Sequence, residues 1–182
     1  MTAKLSSIFL TSFLILGLFS VAGAKTRTYE DERVGYVLDL PSSSWRVVQL
    51  NGIAHPRTEF VNDKRSAVLL RIRRVYPATS PSDLVARHRS WDSLFLQGYI
   101  IVKDHPFEGR LSGTKYAYEY VKGGIPMAGL IYYLQGDDGF IYTLQFTGPQ
   151  NRMWQLREQM DFIARSFRIE NGPDRLLADS QT

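Results

Sequence analysis

Apolar and polar residues alternate in short runs along much of this chain, a pattern typical of β-strands with one covered face. Runs rich in β-branched and aromatic residues predict strands at 36–40, 45–50, 58–61 and 66–76. Asn51-Gly52 tolerates the positive φ angles of a tight turn and so predicts a hairpin between the second and third of these strands. The part of the chain from residue 36 to residue 76 is therefore predicted to consist mainly of neighbouring strands.

A helix is predicted to follow the fourth strand. Ser80 can cap it, Pro81 fits its first turn, and Asp83 favours the positive end of the helix dipole. Residues at spacings of three and four are expected to share its core face, and these are Leu84, His88, Trp91 and Phe95. Gly98 is expected to end the helix.

The chain then returns to strands, which are predicted at 99–102, 115–121, 127–135 and 140–146. The second of them alternates strictly and sends Tyr116, Tyr118 and Tyr120 to one side. Turns rich in Gly and Asp join the last three strands. The pattern predicts a three-stranded antiparallel meander with one strongly aromatic face.

A second helix is predicted to begin near residue 150, where Thr147 and Gln150 have the spacing of a capping box. Its apolar stripe consists of Met153, Leu156, Met160, Ile163 and Phe167. Strands and helices come in blocks rather than in strict alternation, which favours an antiparallel sheet. We predict a single α+β domain in which a twisted antiparallel β-sheet is flanked by two main helices, as an α/β/α sandwich.

The first 24 residues have the order of a signal peptide. Lys4 precedes an apolar run from Ile8 to Val21, and Ala22-Gly23-Ala24 offers small side chains to signal peptidase. The apolar run is short for a membrane span, which needs about 20 residues. We therefore expect cleavage after Ala24, export to a periplasm or to the medium, and no integral span in the mature chain; an uncleaved anchor is the alternative.

Composition suggests how the rest of the chain is organised. We expect a flexible charged leader at 25–33, one domain at 34–169 and a disordered polar tail at 170–182. The chain has no Cys, which excludes disulfides and lipid attachment through an N-terminal Cys. Packing alone is therefore expected to stabilise the mature domain.

Charge and motifs exclude several classes of function. The formal net charge of +4 is mild and lacks the concentrated basic face that nucleic-acid binding requires, so we expect no nucleic-acid partner. No Ser lies in a Gly-x-Ser-x-Gly motif and no Cys is present as a nucleophile. The usual sequence support for a hydrolase is therefore missing.

The three histidines, His55, His88 and His105, do not form a metal motif. His88 and Asp92 have the i, i+4 spacing of helical metal ligands, but His88 lies on the apolar stripe and is better interpreted as a hydrogen-bonded core residue. The paired acids Asp137-Asp138 lie where a hairpin turn favours Asp for backbone reasons. We predict no metal site, no cofactor and no catalytic residue.

The most suggestive surface is a basic cluster of Lys64, Arg65, Arg71, Arg73, Arg74, Arg87 and Arg89. Part of it could bind anionic lipid headgroups, a cell-wall polymer or an acidic protein. An ordinary solvated strand face is the alternative interpretation. Tyr116, Tyr118 and Tyr120 would add a binding platform if their side of the sheet is open and concave.

Over most of residues 34–169 the sequence resembles the Mog1/PsbP-like family. The matching features are packing and turn residues, namely Gly35 to Pro41 followed by Trp45, Leu111-Ser112-Gly113 before the tyrosine strand, the hairpin from Tyr132 to Leu144, and Ser166-Phe167. The resemblance implies this fold and a non-enzymatic accessory role, since members support photosystem II, bind a small GTPase or reside in bacterial envelopes. It assigns no site residue to this chain.

Two functional hypotheses follow. The first is an exported non-enzymatic accessory or binding protein that acts through surface contacts, with an unknown envelope protein, a lipid or cell-wall component, or another anionic surface as its partner. The alternative is a small exported enzyme of the hydrolase type, with histidine and carboxylate side chains in a cleft.

Overall fold

The computed structural model describes residues 25–50, 57–62, 68–75 and 80–170. These residues form ten strands and three helices: β1 (Arg27–Asp31), β2 (Tyr36–Leu40), β3 (Trp45–Leu50), β4 (Arg57–Asn62), β5 (Val68–Val75), α1 (Pro81–Phe95), β6 (Gln97–Phe107), β7 (Gly113–Lys122), β8 (Ile125–Gln135), β9 (Ile141–Pro149), α2 (Gln150–Gln155), α3 (Arg157–Ser166) and β10 (Arg168–Ile169).

Most of the described strands form one antiparallel sheet in the order β3-β4-β5-β9-β8-β7-β6. The predicted meander is confirmed, with β7 paired to β8 and β8 to β9. It extends through β6, which runs on to Phe107 and forms one edge of the sheet. His105 therefore lies in this strand, directly before Pro106.

One face of this sheet packs against α1. The helix begins as predicted, because Ser80 and Asp83 cap each other's backbone groups in a capping box. Leu84 and Val85 pack there, on a core layer that also contains Tyr116, Tyr118, Ile131, Tyr133 and Ile141. The strict alternation of β7 thus places its tyrosines under α1.

The opposite face carries the larger core. The predicted stripe of α2 and α3 is buried against it: Met153, Leu156, Met160, Ile163 and Phe167. A small sheet in the order β1-β2-β10 packs on the same side. The Ser166 Oγ accepts a hydrogen bond from the Asp39 amide of β2 at 2.9 Å, so the end of α3 is fixed to this small sheet. The α+β sandwich with helices on both faces of the sheet is confirmed.

The expected leader at 25–33 requires a correction. Residues 27–31 form β1, which pairs with β2 from Arg27 opposite Leu40 to Asp31 opposite Tyr36. The charged sequence does not show the alternation expected of a strand, because most of its side chains are polar and face outward, while Tyr29 packs against the core. Asp31 is buried and accepts a hydrogen bond from the Thr58 hydroxyl at 3.1 Å, which gives this charged residue a structural role.

The bounds of both predicted helices also differ from those observed. Thr147 belongs to β9, which extends to Pro149, so no Thr147–Gln150 capping box forms and α2 has no side-chain cap. The second helix is divided at Leu156, whose φ of −100° and ψ of 5° leave the helical region. The first helix ends at Phe95, before the expected Gly98, because the chain enters β6 at Gln97.

The core face predicted for α1 is only partly correct. Leu84 is buried, but Trp91 is 60% exposed and Phe95 is 72% exposed. Their rings stack on each other at the surface, with centroids 6.1 Å apart. The spacing of apolar residues predicted the helix correctly, yet only its N-terminal half is pressed onto the sheet.

Several predictions lie outside the described residues. They are the signal peptide at 1–24, the Asn51-Gly52 turn, His55, Lys64, Arg65, and the tail at 170–182 apart from its first residue. Among the residues that are described, none of the helices is both long and apolar enough to cross a membrane.

Candidate functional site

The structure does not bring the described part of the predicted basic cluster together as one ridge. Arg71 donates from Nε to the Glu59 carboxylate at 2.8 Å. The guanidinium of Arg74 lies over the ring of Phe140, 4.4 Å from its centroid. Both arginines therefore serve local contacts between strands.

Arg73 and Arg87 line a cavity of about 240 Å³ between α1 and the sheet, together with His88, Trp91 and Asp92. Arg89 points elsewhere and forms an ion pair with Asp104 of β6 at 2.7 Å. Of the five arginines of the basic cluster that lie in the described residues, the structure thus groups only Arg73 and Arg87 at a shared concave site.

His88 and Asp92 are neighbours on α1, with the His88 Nε2 2.5 Å from a carboxylate oxygen of Asp92. Burial lowers the pKa of His88 and raises the pKa of Asp92. The imidazole also packs against the rings of Tyr116, Tyr118 and Tyr133. This agrees with the interpretation of His88 as a core-facing residue. No cluster of three or more metal-ligating side chains occurs in the described ranges.

The three tyrosines of β7 do not form an open platform. Tyr116 and Tyr118 are buried beneath α1, and Tyr120 is half-buried beside them. Adjacent rings stack along the strand, 5.8 Å apart for Tyr116 and Tyr118 and 5.9 Å for Tyr118 and Tyr120. They contribute to folding through packing in the structure described here, while their predicted partner contacts would require α1 to move.

A second cavity lies on the other face of the sheet, between β6, β7 and β8 and the helices α2 and α3. Its volume is about 300 Å³. Small residues create the hollow, because Ala117 and Ala128 face Met153 and Met160 across it. We call this cavity the helix-side cleft.

Basic side chains border the helix-side cleft at one end. Strand pairing places Lys103 opposite Ala117 and His105 opposite Lys115, and Arg157 approaches from α3. Glu119 is the one acid among the described side chains that line the cleft, and it lies four residues along β7 from Lys115, about 13 Å at 3.3 Å per residue. The cleft is therefore polarised, with its positive charge near Lys115.

Asp161 of α3 holds Lys115 in place. Lys115 is only 6% exposed, and its ammonium donates to the Asp161 carboxylate, which also accepts a hydrogen bond from the Tyr132 hydroxyl. Within the described ranges, neither Lys103 nor Arg157 forms an ion pair with an acid. Pairing of Lys115 thus leaves two cations whose charge is not neutralised locally.

The cations around the cleft act on His105. Burial first, and then the charges of Lys115, Lys103 and Arg157, lower the pKa of His105, while Asp161 opposes this in part. The Nδ1 of His105 is buried and has no hydrogen-bond partner among the described residues. This nitrogen is therefore a free polar group at the positive end of the cleft.

We expect an NMR titration to show His105 with a pKa below the ordinary value of about 6.5. Arg157→Gln and Lys103→Gln should each raise that pKa, because each removes a positive charge that opposes protonation. Arg73→Gln, on the opposite face of the sheet, is the matched control and should leave it unchanged. If the pKa of His105 were unchanged in both cleft variants, the charges of Lys103 and Arg157 would not act on His105 as described.

The surface also exposes a group of large apolar side chains where α1 ends and β6 begins. We call it the α1–β6 surface, and it consists of Trp91, Leu94 and Phe95 of α1 and Ile101 of β6. Ile100 and Val102 are exposed as well but lie on the other face of β6, since Ile100 pairs with Glu119 and Val102 lines the helix-side cleft. Ile125, also exposed, lies at the same end of the sheet, because the start of β6 pairs with the end of β7. Such a concentration is unusual for a surface that meets only water.

The edge strand β6 is protected against simple strand addition. Its pairing with β7 is irregular between Gln97 and Ile100 and again between Ile101 and Lys103, and Pro106 lacks an amide donor. Contacts at this edge are therefore expected to use side chains rather than a continuous ladder of backbone hydrogen bonds.

Sequence reasoning missed both the helix-side cleft and the α1–β6 surface. The run Ile100-Ile101-Val102 was visible but was interpreted as an ordinary strand. Nothing in the sequence marks Ala117 and Ala128 as the floor of a cleft, because this role depends on which strands and helices meet there.

Comparison with solved structures confirms the fold. The chain is similar to cyanobacterial PsbP (CyanoP) from Synechocystis, with a TM-score of 0.56 and 15% identity over 82% of this chain and 95% of that one. It is also similar to the Ran-binding protein Mog1p of Saccharomyces cerevisiae, with a TM-score of 0.55 and 6% identity over 81% and 97% of the two chains.

A third similar structure is LpqN of Mycobacterium tuberculosis, which is involved in cell envelope biogenesis. Its TM-score is 0.53, with 14% identity over 81% of this chain and 91% of LpqN. No family model matches the sequence, and no curated protein matches it significantly. The Mog1/PsbP-like fold expected from the resemblance is thus shown by structure, at identities that carry no site residue across.

Proposed function

We propose that this chain is an exported, non-enzymatic binding or accessory protein that docks a protein partner on its α1–β6 surface. The observation that carries the proposal is the exposure of Trp91, Leu94 and Phe95 on the end of α1, at 60%, 75% and 72%. Aromatic residues are enriched in protein interfaces, and exposing them otherwise costs solubility.

The charges near this surface favour a protein over an anionic bilayer. Acidic side chains, Asp92, Asp104 and Glu119, are interleaved with the basic ones on α1, β6 and β7. Membrane attraction requires an excess of cations, whereas the rim of a protein interface carries both signs. The fold supports the same class of function, since one similar structure is a Ran-binding protein and another is involved in cell envelope biogenesis. Export is supported by the signal-like pattern at 1–24.

The test is photo-cross-linking in the source cell with a photoreactive residue at position 94. We expect one dominant protein adduct in the envelope fraction, carried by chains that begin at Lys25. In the purified pair, Trp91→Ser with Phe95→Ser should weaken binding at least about tenfold, because buried aromatic anchors dominate interface energies.

The matched control is Phe162→Ser, an exposed aromatic on α3 that should leave the adduct intact. Lipid adducts instead of protein adducts, or an adduct that the double variant keeps, would refute docking on this surface. Chains recovered only from the cytoplasm would refute export.

One observation favours a second candidate function, a small exported hydrolase. His88 and Asp92 lie 2.5 Å apart in a cavity of about 240 Å³, so an imidazole and a carboxylate face a common space, although the His88 Nε2 makes no hydrogen bond to a described residue. However, no Ser lines that cavity in the described structure, so its nucleophile would have to be water or a threonine. Ester turnover that His88→Ala abolishes would support this alternative over binding.

A further inference from the structure

The helix-side cleft combines an apolar floor with a positive end. Along β7 and β8 the floor is Ala117, Leu130 and Ala128, and Met153 and Met160 cover it from α2 and α3. Its volume of about 300 Å³ lies at the lower end of the range for small-molecule sites, about 300 to 1,000 Å³. Exposed side chains border the cleft, so it is open to solvent, and displacement of water from its apolar floor favours binding of an apolar group.

The positive end has the features of a site for an anionic head group. Lys115 is held by Asp161 and Tyr132, so its ammonium is kept at the wall of the cleft. Lys103 and Arg157 remain without acidic partners in the described structure, and the buried His105 Nδ1 lacks a hydrogen-bond partner. These groups come from β6, β7 and α3 and lie around His105, at the border of a space whose floor is apolar.

The roof of the cleft can adapt to a flexible ligand. Methionine side chains are unbranched and rotate easily, so Met153 and Met160 can fit chains of different lengths. Trp154 is half-exposed on α2 beside them, with the Arg157 guanidinium 6.0 Å from its ring centroid. The backbone departs from helical geometry at Leu156, between the two helices that carry this roof.

We propose that the helix-side cleft binds a single aliphatic chain that ends in an anionic head group, with the chain over Ala117, Ala128 and Leu130 and the head group beside Lys103, Lys115 and Arg157. The apolar floor excludes a purely ionic ligand, because such a ligand would be desolvated without compensation. The cations in turn favour an anionic amphiphile over a neutral hydrocarbon of equal length. This proposal is independent of partner docking on the α1–β6 surface.

The test is calorimetric titration of the full mature chain with dodecanoate and dodecyl phosphate below their critical micelle concentrations, and with dodecanol below its solubility limit. We expect one-to-one binding of at least one anion, at least about tenfold tighter than dodecanol. The two anions distinguish a carboxylate ligand from a phosphate ligand. Acetate and inorganic phosphate should not bind detectably, because they lack the chain. Equal binding of dodecanol, or no binding of either anion, would overturn the proposal.

Variants locate the site. Lys103→Gln with Arg157→Gln should weaken anion binding about tenfold or more, whereas the matched pair Arg73→Gln with Arg87→Gln on the opposite face should not change it. Ala128→Leu should abolish binding by filling the floor. If that variant fails to fold, Ala117→Leu at the neighbouring, less buried position serves the same purpose. Binding that survives both the charge pair and the folded filling variant would place the ligand elsewhere and overturn the assignment.

Discussion

Asp161→Ala is expected to lower the free energy of unfolding by about 3 kcal/mol, at the lower end of the cost of breaking a buried ion pair. The substitution leaves the ammonium of Lys115, only 6% exposed, with neither its carboxylate nor ready access to water. It also removes the acceptor of the buried Tyr132 hydroxyl. The partial exposure of Asp161, about one quarter of its side chain, limits the loss. Urea denaturation at neutral pH, followed by far-UV circular dichroism, measures it.

The matched control is the double variant with Lys115→Met and Asp161→Ala. It removes both charges, and a methionine can fill much of the space of the lysine stem, so most of the lost stability should return. A single variant within about 1 kcal/mol of the native chain would mean that water reaches Lys115 and that Asp161 contributes little. In that case the wall of the helix-side cleft would be less rigid than its hydrogen bonds indicate.

Sequence patterning predicted those parts of the fold in which the two faces of an element carry different kinds of side chain. The alternation in β7 placed its tyrosines on one side, and the stripe from Met153 to Phe167 identified a buried helical face. Both predictions hold because the spacing of apolar residues along a strand or helix indicates which of its sides faces the core. This spacing does not indicate how much of a helical face is covered. The prediction therefore places Trp91 and Phe95 in the core, although both are exposed near the end of α1.

The predictions that failed depended on long-range pairing. β1 was taken for a leader because its charges carry no apolar period, yet it pairs with β2. Thr147 has the chemistry of a cap but is held in β9 by its pairing with Gly129 and Leu69. In each case the ladder hydrogen bonds of a neighbouring strand determine the conformation, and a single local segment does not contain that information.

The candidate sites depend even more strongly on contacts between residues that are distant in sequence. Lys103, Lys115 and Arg157 are separated along the chain and meet only because β6 pairs with β7 while α3 crosses that side of the sheet. The predicted basic cluster, by contrast, contains residues that are close in sequence, but their charges are used in separate local contacts. Spacing along one strand is thus a weak guide to a binding surface, whereas the order of strands in the sheet determines which charges converge.

Gly113→Ala is expected to destabilise the fold by about 3 kcal/mol or more, because there is no room for a methyl group where β7 begins. A Cβ at Gly113 would lie 1.8 Å from the carbonyl oxygen of Tyr133 and 3.0 Å from the Cα of Leu134. Both atoms belong to the backbone of β8, so no side-chain rotation relieves the overlap. The strands would have to separate where the Gln135 amide donates to the Ser112 carbonyl at 2.9 Å. Thermal and urea unfolding of the variant measure the loss.

Gly124→Ala provides the matched control, because it tests the conformational cost of losing a glycine without a steric clash. Gly124 has a φ of 78° in the hairpin between β7 and β8, and a Cβ there would meet no atom of the described residues within 4 Å. Its replacement should cost only about 1 to 2 kcal/mol, the penalty for a positive φ in a residue with a side chain. A cost at position 113 no larger than at 124 would show that β8 yields to the added methyl. A larger cost would explain why Leu111-Ser112-Gly113 belongs among the features by which the sequence resembles its fold family: Leu111 is buried in the core, Ser112 accepts from β8, and Gly113 permits the close approach of the two strands.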